Sequence, residues 1–233
     1  MGLVLLAACT ALVVRTVDRP SSPAPTGPHV ARLAAHGQSA ATLRVITNTP
    51  ALTISVANLG VTGTLLRVGT PAGSPAPALR TAGGAADPVV SVSAPEAAAI
   101  TVTLNAAVSW QLDLASGTTR TSVDMVGGRL AGVAITKGSD VIDLTLPRPD
   151  ASITVRLAAG ASRLLLSVPD GVPSRVQARA GAGEVSLEGQ VHVGVRAGSV
   201  FATPAWAPGV AGYDVDATAG ASRITVATQT QKG

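Results

Sequence analysis

VRLAAGASRLLLSVP, residues 155–169, decides the fold, because it returns as VQARAGAGEVSLEG at 176–189 and VDATAGASRITVAT at 215–228. In each copy two apolar positions stand five and three residues before a glycine, and two more stand four and six residues after it. The sets are Val155, Leu157, Gly160, Leu164 and Leu166; Val176, Ala178, Gly181, Val185 and Leu187; Val215, Ala217, Gly220, Ile224 and Val226. Two earlier copies fit the same frame, Leu112 and Leu114 before Gly117 with Thr121 and Val123 after it, and Val133 and Ile135 before Gly138 with Ile142 and Leu144 after it. A further copy has Leu43, Val45, Leu52 and Ile54 around Asn48. Asparagine there is consistent with a corner, being next after glycine in tolerance of left-handed backbone. A degenerate copy is expected at Val193, Val195 and Gly198.

Alternation with period two is the mark of half-buried strands. Across each glycine the interval from the last apolar position to the next is odd, so the alternation changes phase. A straight strand cannot do that and keep both halves on one core. Asn48, Gly117, Gly138, Gly160, Gly181 and Gly220 are therefore expected to be structural corners or bulges. From Gly117 to Gly181 the corners fall 21, 22 and 21 residues apart. The predicted fold is all-β, a β-solenoid-like stack of roughly 21-residue strand-corner-strand repeats in which each coil buries its stripe against its neighbours. A β-sandwich or β-roll remains the alternative. Proline- and glycine-rich stretches at 69–88 and 204–208 are expected to be loops.

Composition agrees with this. Of 233 residues, 46% are hydrophobic but only Trp110, Phe201, Trp206 and Tyr213 are aromatic, so a core must be built from Val, Leu, Ile and Ala. The net charge of +4 is spread singly along the chain with no basic run and no aromatic ladder, which argues against a nucleic-acid partner. Arginine far outnumbers lysine beside abundant Ala, Gly and Pro, the residue usage of a GC-rich genome and consistent with an actinobacterial source. The single cysteine, Cys9, excludes an intramolecular disulfide and a cysteine-rich zinc site.

Three segments are expected: a hydrophobic membrane anchor or signal at 1–17, a proline-rich linker at 18–40, and the β repeat domain at 41–233. The apolar run 2–14, GLVLLAACTALVV, would reach about 20 Å as a helix against a hydrocarbon core of about 30 Å. It spans only with help from its flanks, or as the back of a longer segment beginning upstream. Leu6-Ala7-Ala8-Cys9 also fits a lipidation motif at Cys9, and a cleaved signal is the third option. Each places the β domain outside the cytoplasm, and the anchor, the favoured reading, holds it at the cell membrane.

Nucleophilic catalysis needs a base near a Ser or Cys, and the one histidine of the repeat body, His192, is expected on the polar face between Val191 and Val193. The serines of the repeated GAS corner have a structural role open to them, hydrogen bonding at the turn. Asp113, Asp124, Asp143, Asp214 and Asp216 fall on outward positions, and Asp214 with Asp216 forms the best same-face acidic pair. No catalytic residue, cofactor site or metal site is expected. Arg120, Arg163 and Arg223 recur three residues after a corner and form a partial basic stripe, which either protects an edge or contacts an anionic polymer. Trp206, in a proline loop, is the candidate for stacking on a sugar, whereas Trp110 is expected to be packed.

The stretch WQLDLASGTTRTSVDM at 110–125, with ITKGSDVIDLTLPRP at 135–149 and the copies at 155–189, resembles the bacterial putative-adhesin and LiaF/LiaG-like cell-envelope domains, particularly membrane-anchored actinobacterial members. The likeness covers about 105–228, more weakly from 41. It implies a non-catalytic extracytoplasmic module for surface interaction or envelope-stress sensing, with an envelope protein or wall polymer as partner and no catalytic residues carried over. A solenoid-type carbohydrate-active enzyme and a purely structural spacer are the competing expectations.

Overall fold

The computed structural model describes residues 27–60 and 63–229, so the hydrophobic segment at 1–17 and Cys9 lie outside the described residues. Among these residues the chain is all strand, with no helix long and apolar enough to cross a membrane. In chain order the strands are β1 (His29–Ala34), β2 (Ala40–Val45), β3 (Ala51–Ala57), β4 (Thr64–Thr70), β5 (Ala78–Gly83), β6 (Pro88–Ser93), β7 (Ala99–Asn105), β8 (Ser109–Leu114), β9 (Thr118–Asp124), β10 (Arg129–Ile135), β11 (Ser139–Thr145), β12 (Ser152–Leu157), β13 (Ala161–Val168), β14 (Ser174–Ala178), β15 (Ala182–Leu187), β16 (Gln190–Val195), β17 (Ser199–Ala202), β18 (Gly212–Ala217) and β19 (Ala221–Thr228). β1 falls within 18–40, the stretch expected to be linker, and pairs antiparallel with β4.

Each repeat lays its first strand in one sheet and its second in the other. The ten-stranded sheet runs β1-β4-β7-β3-β9-β11-β13-β19-β15-β16 and the nine-stranded sheet β17-β14-β18-β12-β10-β8-β2-β6-β5. Between coils all pairing is parallel, and it brings stripe positions level, as in Val155↔Val215 and Leu164↔Ile224, with a register shift between Leu130 and Gly132 where β10 meets β8. Every stripe position of the six full copies, from Leu43 to Val226, is buried, and the stripes meet in one core between the sheets. Trp110 is fully buried there, its Nε1 donating to the Asn105 carbonyl at 3.0 Å.

The phase change falls two residues beyond the glycine. In the coil of Gly160, Leu157 and Ala161 are both buried, so alternation survives the corner; Ser162 and Arg163 then both face solvent before Leu164 turns in. The ladders step from Ala161↔Ala221 to Arg163↔Arg223, and from Ser139↔Ala161 to Val141↔Arg163, leaving Ser162, Ser222 and Asp140 unpaired. A stacked β-bulge thus re-aims every second strand. Pro50 holds this place in the first coil, where its missing N–H costs no ladder bond, and its carbonyl accepts from both Thr119 and Arg120.

The six corner residues each lie between the two strands of a coil, but their backbones are not alike. Of the six, only Gly181 has a left-handed φ, +84°. Gly117, Gly138, Gly160 and Gly220 stack along the axis, each carbonyl accepting from the coil before: Thr49 N donates to Gly117 O, Thr118 N to Gly138 O, Ser139 N to Gly160 O and Ala161 N to Gly220 O. Asn48 is there for its side chain, whose Oδ1 accepts from Gly117 N at 2.9 Å. Nor do the GAS serines bond at the turn: Ser162 and Ser222 are exposed, and a buried hydroxyl ladder is made instead by Thr118 with Thr121 and Ser139.

The coils do not stack in chain order. Their spatial sequence is β6/β7, β2/β3, β8/β9, β10/β11, β12/β13, β18/β19, β14/β15, so the last coil is inserted between two made before it. Antiparallel strands cover both ends, β4 and β5 at one and β16 and β17 at the other. The expected copy at Val193, Val195 and Gly198 is this end cap: Val193 is 80% exposed. The stretch 69–88, expected to be a loop, contains β5, and the coil that follows it escaped the frame because Val92 and Ile100 are an even interval apart. Its corner carries one extra residue, with Glu96 at φ +62° in the glycine's place.

Candidate functional site

The polar side chains expected to matter gather in two places. The first is the outer face of the nine-stranded sheet at its β14 end. Period two turns Arg175, Gln177, Asp214 and Asp216 outward from the buried Val176, Ala178, Val215 and Ala217, and parallel register sets Arg175 beside Asp214 and Gln177 beside Asp216. Asp214 is held on both oxygens: Arg175 Nε donates to Oδ1 at 2.9 Å and Nη2 to Oδ2 at 2.5 Å, while Gln177 Nε2 lies 3.0 and 3.1 Å from the two. Asp216 takes Arg179 Nε. The carboxylates hold both guanidinium groups further toward the charged form, chiefly through the hydrogen bond each accepts. The acidic pair read from the sequence is therefore real as a same-face pair, but each member is closed by a guanidinium. The missed partners, Arg175 on β14 and Arg179 just after it, are adjacent to the acidic pair only because the last coil is inserted.

Trp206 joins this cluster rather than standing free. The Arg175 guanidinium carbon sits 5.0 Å from its ring centroid, so one ring face is covered by a cation and the side chain is half-buried.

The second place is the outer face of the ten-stranded sheet. Arg163 and Arg223 stand side by side in register, and Arg120 lies two strands away across Val141. Arg223 is gripped by Glu184, with Nε and Nη2 each 3.0 Å from a carboxylate oxygen. Among the described residues Arg120 and Arg163 form no ion pair. Val141, Ser162, Arg163, Ser222 and Arg223 line a cleft of about 280 Å³ here.

His192 points the other way from the sequence expectation. It pairs with Val185, whose side chain is buried, and stacks on Phe201 with centroids 4.3 Å apart, closing the end of the stack between the sheets. Val191 and Val193 take the solvent face instead, 56% and 80% exposed. Pairing β16 antiparallel to β15 sets this phase, which alternation within β16 alone does not reveal. Asp113 pairs with Arg44 at 2.7 Å on the same sheet face as Asp214, and Asp124 accepts from Val126 N in a turn. Among the described residues no group of three or more His, Cys, Asp or Glu is placed to hold a metal ion.

No family model matches the chain, and no curated protein matches it in sequence. Its fold does match a solved structure, that of a putative cell adhesion protein from Clostridium sporogenes, with a TM-score of 0.67 and 15% identity over 87% of this chain and 99% of that one. The two share the all-β two-sheet architecture.

Proposed function

We propose that this chain is a non-catalytic surface-interaction module, displayed outside the cytoplasm on an N-terminal membrane anchor and binding an envelope protein or wall polymer through its sheet faces. The observation that carries it is the state of Asp214 and Asp216. Carboxylates that cleave glycosides work as a pair, one donating a proton and one left free to attack or to activate water. Here each is occupied by an arginine that stays charged at any physiological pH, which suits a rigid recognition surface better than proton transfer. The fold likeness to a protein described as a cell adhesion protein supports the same reading, as does the resemblance to membrane-anchored adhesin and LiaF/LiaG-like envelope domains of actinobacteria. Envelope-stress sensing would use the same faces.

The test is co-sedimentation of the full chain with Gram-positive cell-wall fractions. Retention without release of soluble fragments is expected. Release of fragments that is abolished by Asp214→Asn or Asp216→Asn would establish the carbohydrate-active enzyme instead, and absence of retention would leave a structural spacer.

A further inference from the structure

The tetrapeptide GASR occurs twice, at 160–163 and at 220–223, far apart in the chain. Insertion of the last coil makes the two copies neighbours, Ala161 on Ala221 and Arg163 on Arg223. Parallel strands in register lie about 4.8 Å apart, so two like charges stand directly side by side. Such a pair is destabilising, and Arg223 alone has a carboxylate to offset it. A local rule broken with only one of its two charges offset marks a place where something other than stability sets the residues.

We infer that the paired GASR corners form a binding site for a tetrahedral oxyanion, a phosphate or sulfate ester carried on a polymer. The cleft supplies what such a group needs: the Arg163 guanidinium with its donors uncommitted, the N–H groups of Arg223 that Glu184 leaves unused, and two exposed hydroxyls, Ser162 and Ser222, at the bulge positions of adjacent strands. Its lining contains no carboxylate. Glu184 grips Arg223 from the far side, and the acids on the near side, Asp140 and Asp143, belong to β11 and make no ion pair with Arg163 among the described residues. Arg120, in the same row two strands on, extends the track along the stacking axis, so a polymer lying across the coils meets a second cation. The bulge that corrects the strand phase is also what presents each serine hydroxyl beside its arginine.

This assignment rests on the surface-interaction reading and names its ligand chemistry. The test uses the full chain immobilised on a biosensor, with sodium polyphosphate, dextran sulfate, sodium polygalacturonate and unsubstituted dextran as probes. Binding of polyphosphate, of dextran sulfate or of both is expected, weakening as salt rises, and which of them binds distinguishes a phosphoryl from a sulfuryl oxyanion. Arg163→Gln is expected to weaken it at least about tenfold, and Arg163→Gln with Arg223→Gln further, whereas Arg163→Lys retains part of it. Arg80→Gln, on β5 of the other sheet, is expected to bind as the unaltered chain does. Equal binding of polygalacturonate, an undiminished Arg163→Gln variant with unchanged far-ultraviolet circular dichroism, or an equal loss in Arg80→Gln would each overturn the site. Wall retention that survives the double substitution would remove the oxyanion site while leaving the surface-interaction reading in place.

Discussion

Arg175 is shared between Trp206, whose ring its guanidinium carbon faces at 5.0 Å, and Asp214, which takes two of its N–H groups. One cation thus ties a proline-rich loop to the sheet. Arg175→Ala is expected to lower stability by about 1 kcal/mol in urea titration, because the pair is half-buried rather than enclosed. Tryptophan emission should shift to the red as Trp206 loses its cover. Trp110 stays buried and serves as the unchanged background. An unshifted spectrum would mean that the loop holds Trp206 without Arg175.

Leu164, Leu165 and Leu166 are three leucines in a row, yet only the first and last point inward. Leu164→Ala removes a fully buried side chain and is expected to cost about 3 kcal/mol. Leu165→Ala should cost less than about 1 kcal/mol. Urea midpoints of the two variants, compared directly, check the phase of the bulge; equal losses would contradict it.

The corner glycines are not equivalent. A Cβ at Gly181 meets Val195 O at 2.8 Å on a backbone of φ +84°, and Gly181→Ala is expected to lose about 2 kcal/mol. At Gly220 nothing lies within 4 Å and φ is not left-handed, so Gly220→Ala should be neutral or gain up to about 1 kcal/mol through the unfolded state. Thermal melts of the two variants should move in opposite directions or differ by several degrees.

Tyr213 is fully buried and donates to the Pro147 carbonyl at 2.6 Å. Burial raises its pKa above the ordinary 10.0. The folded state therefore keeps the proton where the unfolded chain has begun to lose it, so stability is level below pH 10 and falls as pH rises beyond it. Tyr213→Phe should lose about 1–3 kcal/mol at neutral pH through the abandoned carbonyl, and its alkaline decline should be shallower. Melting temperature measured from pH 8 upward tests both, and parallel curves would exclude Tyr213 as the titrating group.

What could be read from the chain follows the range of the interactions concerned. The buried stripe from Leu43 to Val226 was legible because alternation and corner spacing are local, and every copy shares them. Coil order was not: nothing in residues 212–228 says that they slot between β12/β13 and β14/β15, since each coil presents the same in-register edges and sequence similarity does not rank them. The same ignorance hid Arg175 and Arg179 as partners of Asp214 and Asp216. His192 failed for a related reason, as the phase of a cap strand is set by the strand it pairs with. Val92 and Ile100 were missed because a single added residue in a corner breaks a spacing rule without breaking the fold.

The insertion of β18/β19 also fixes when the molecule is finished. Both coils that it separates leave the ribosome before it, and until it arrives β12 and β14, like β13 and β15, confront each other across a vacant slot. A chain that stops before residue 212 therefore lacks not an edge coil but an inner one, and leaves the parallel edges of β12, β13, β14 and β15 without their partners. Loss of the final coil thereby removes interior pairing from both sheets instead of shortening the stack at an edge.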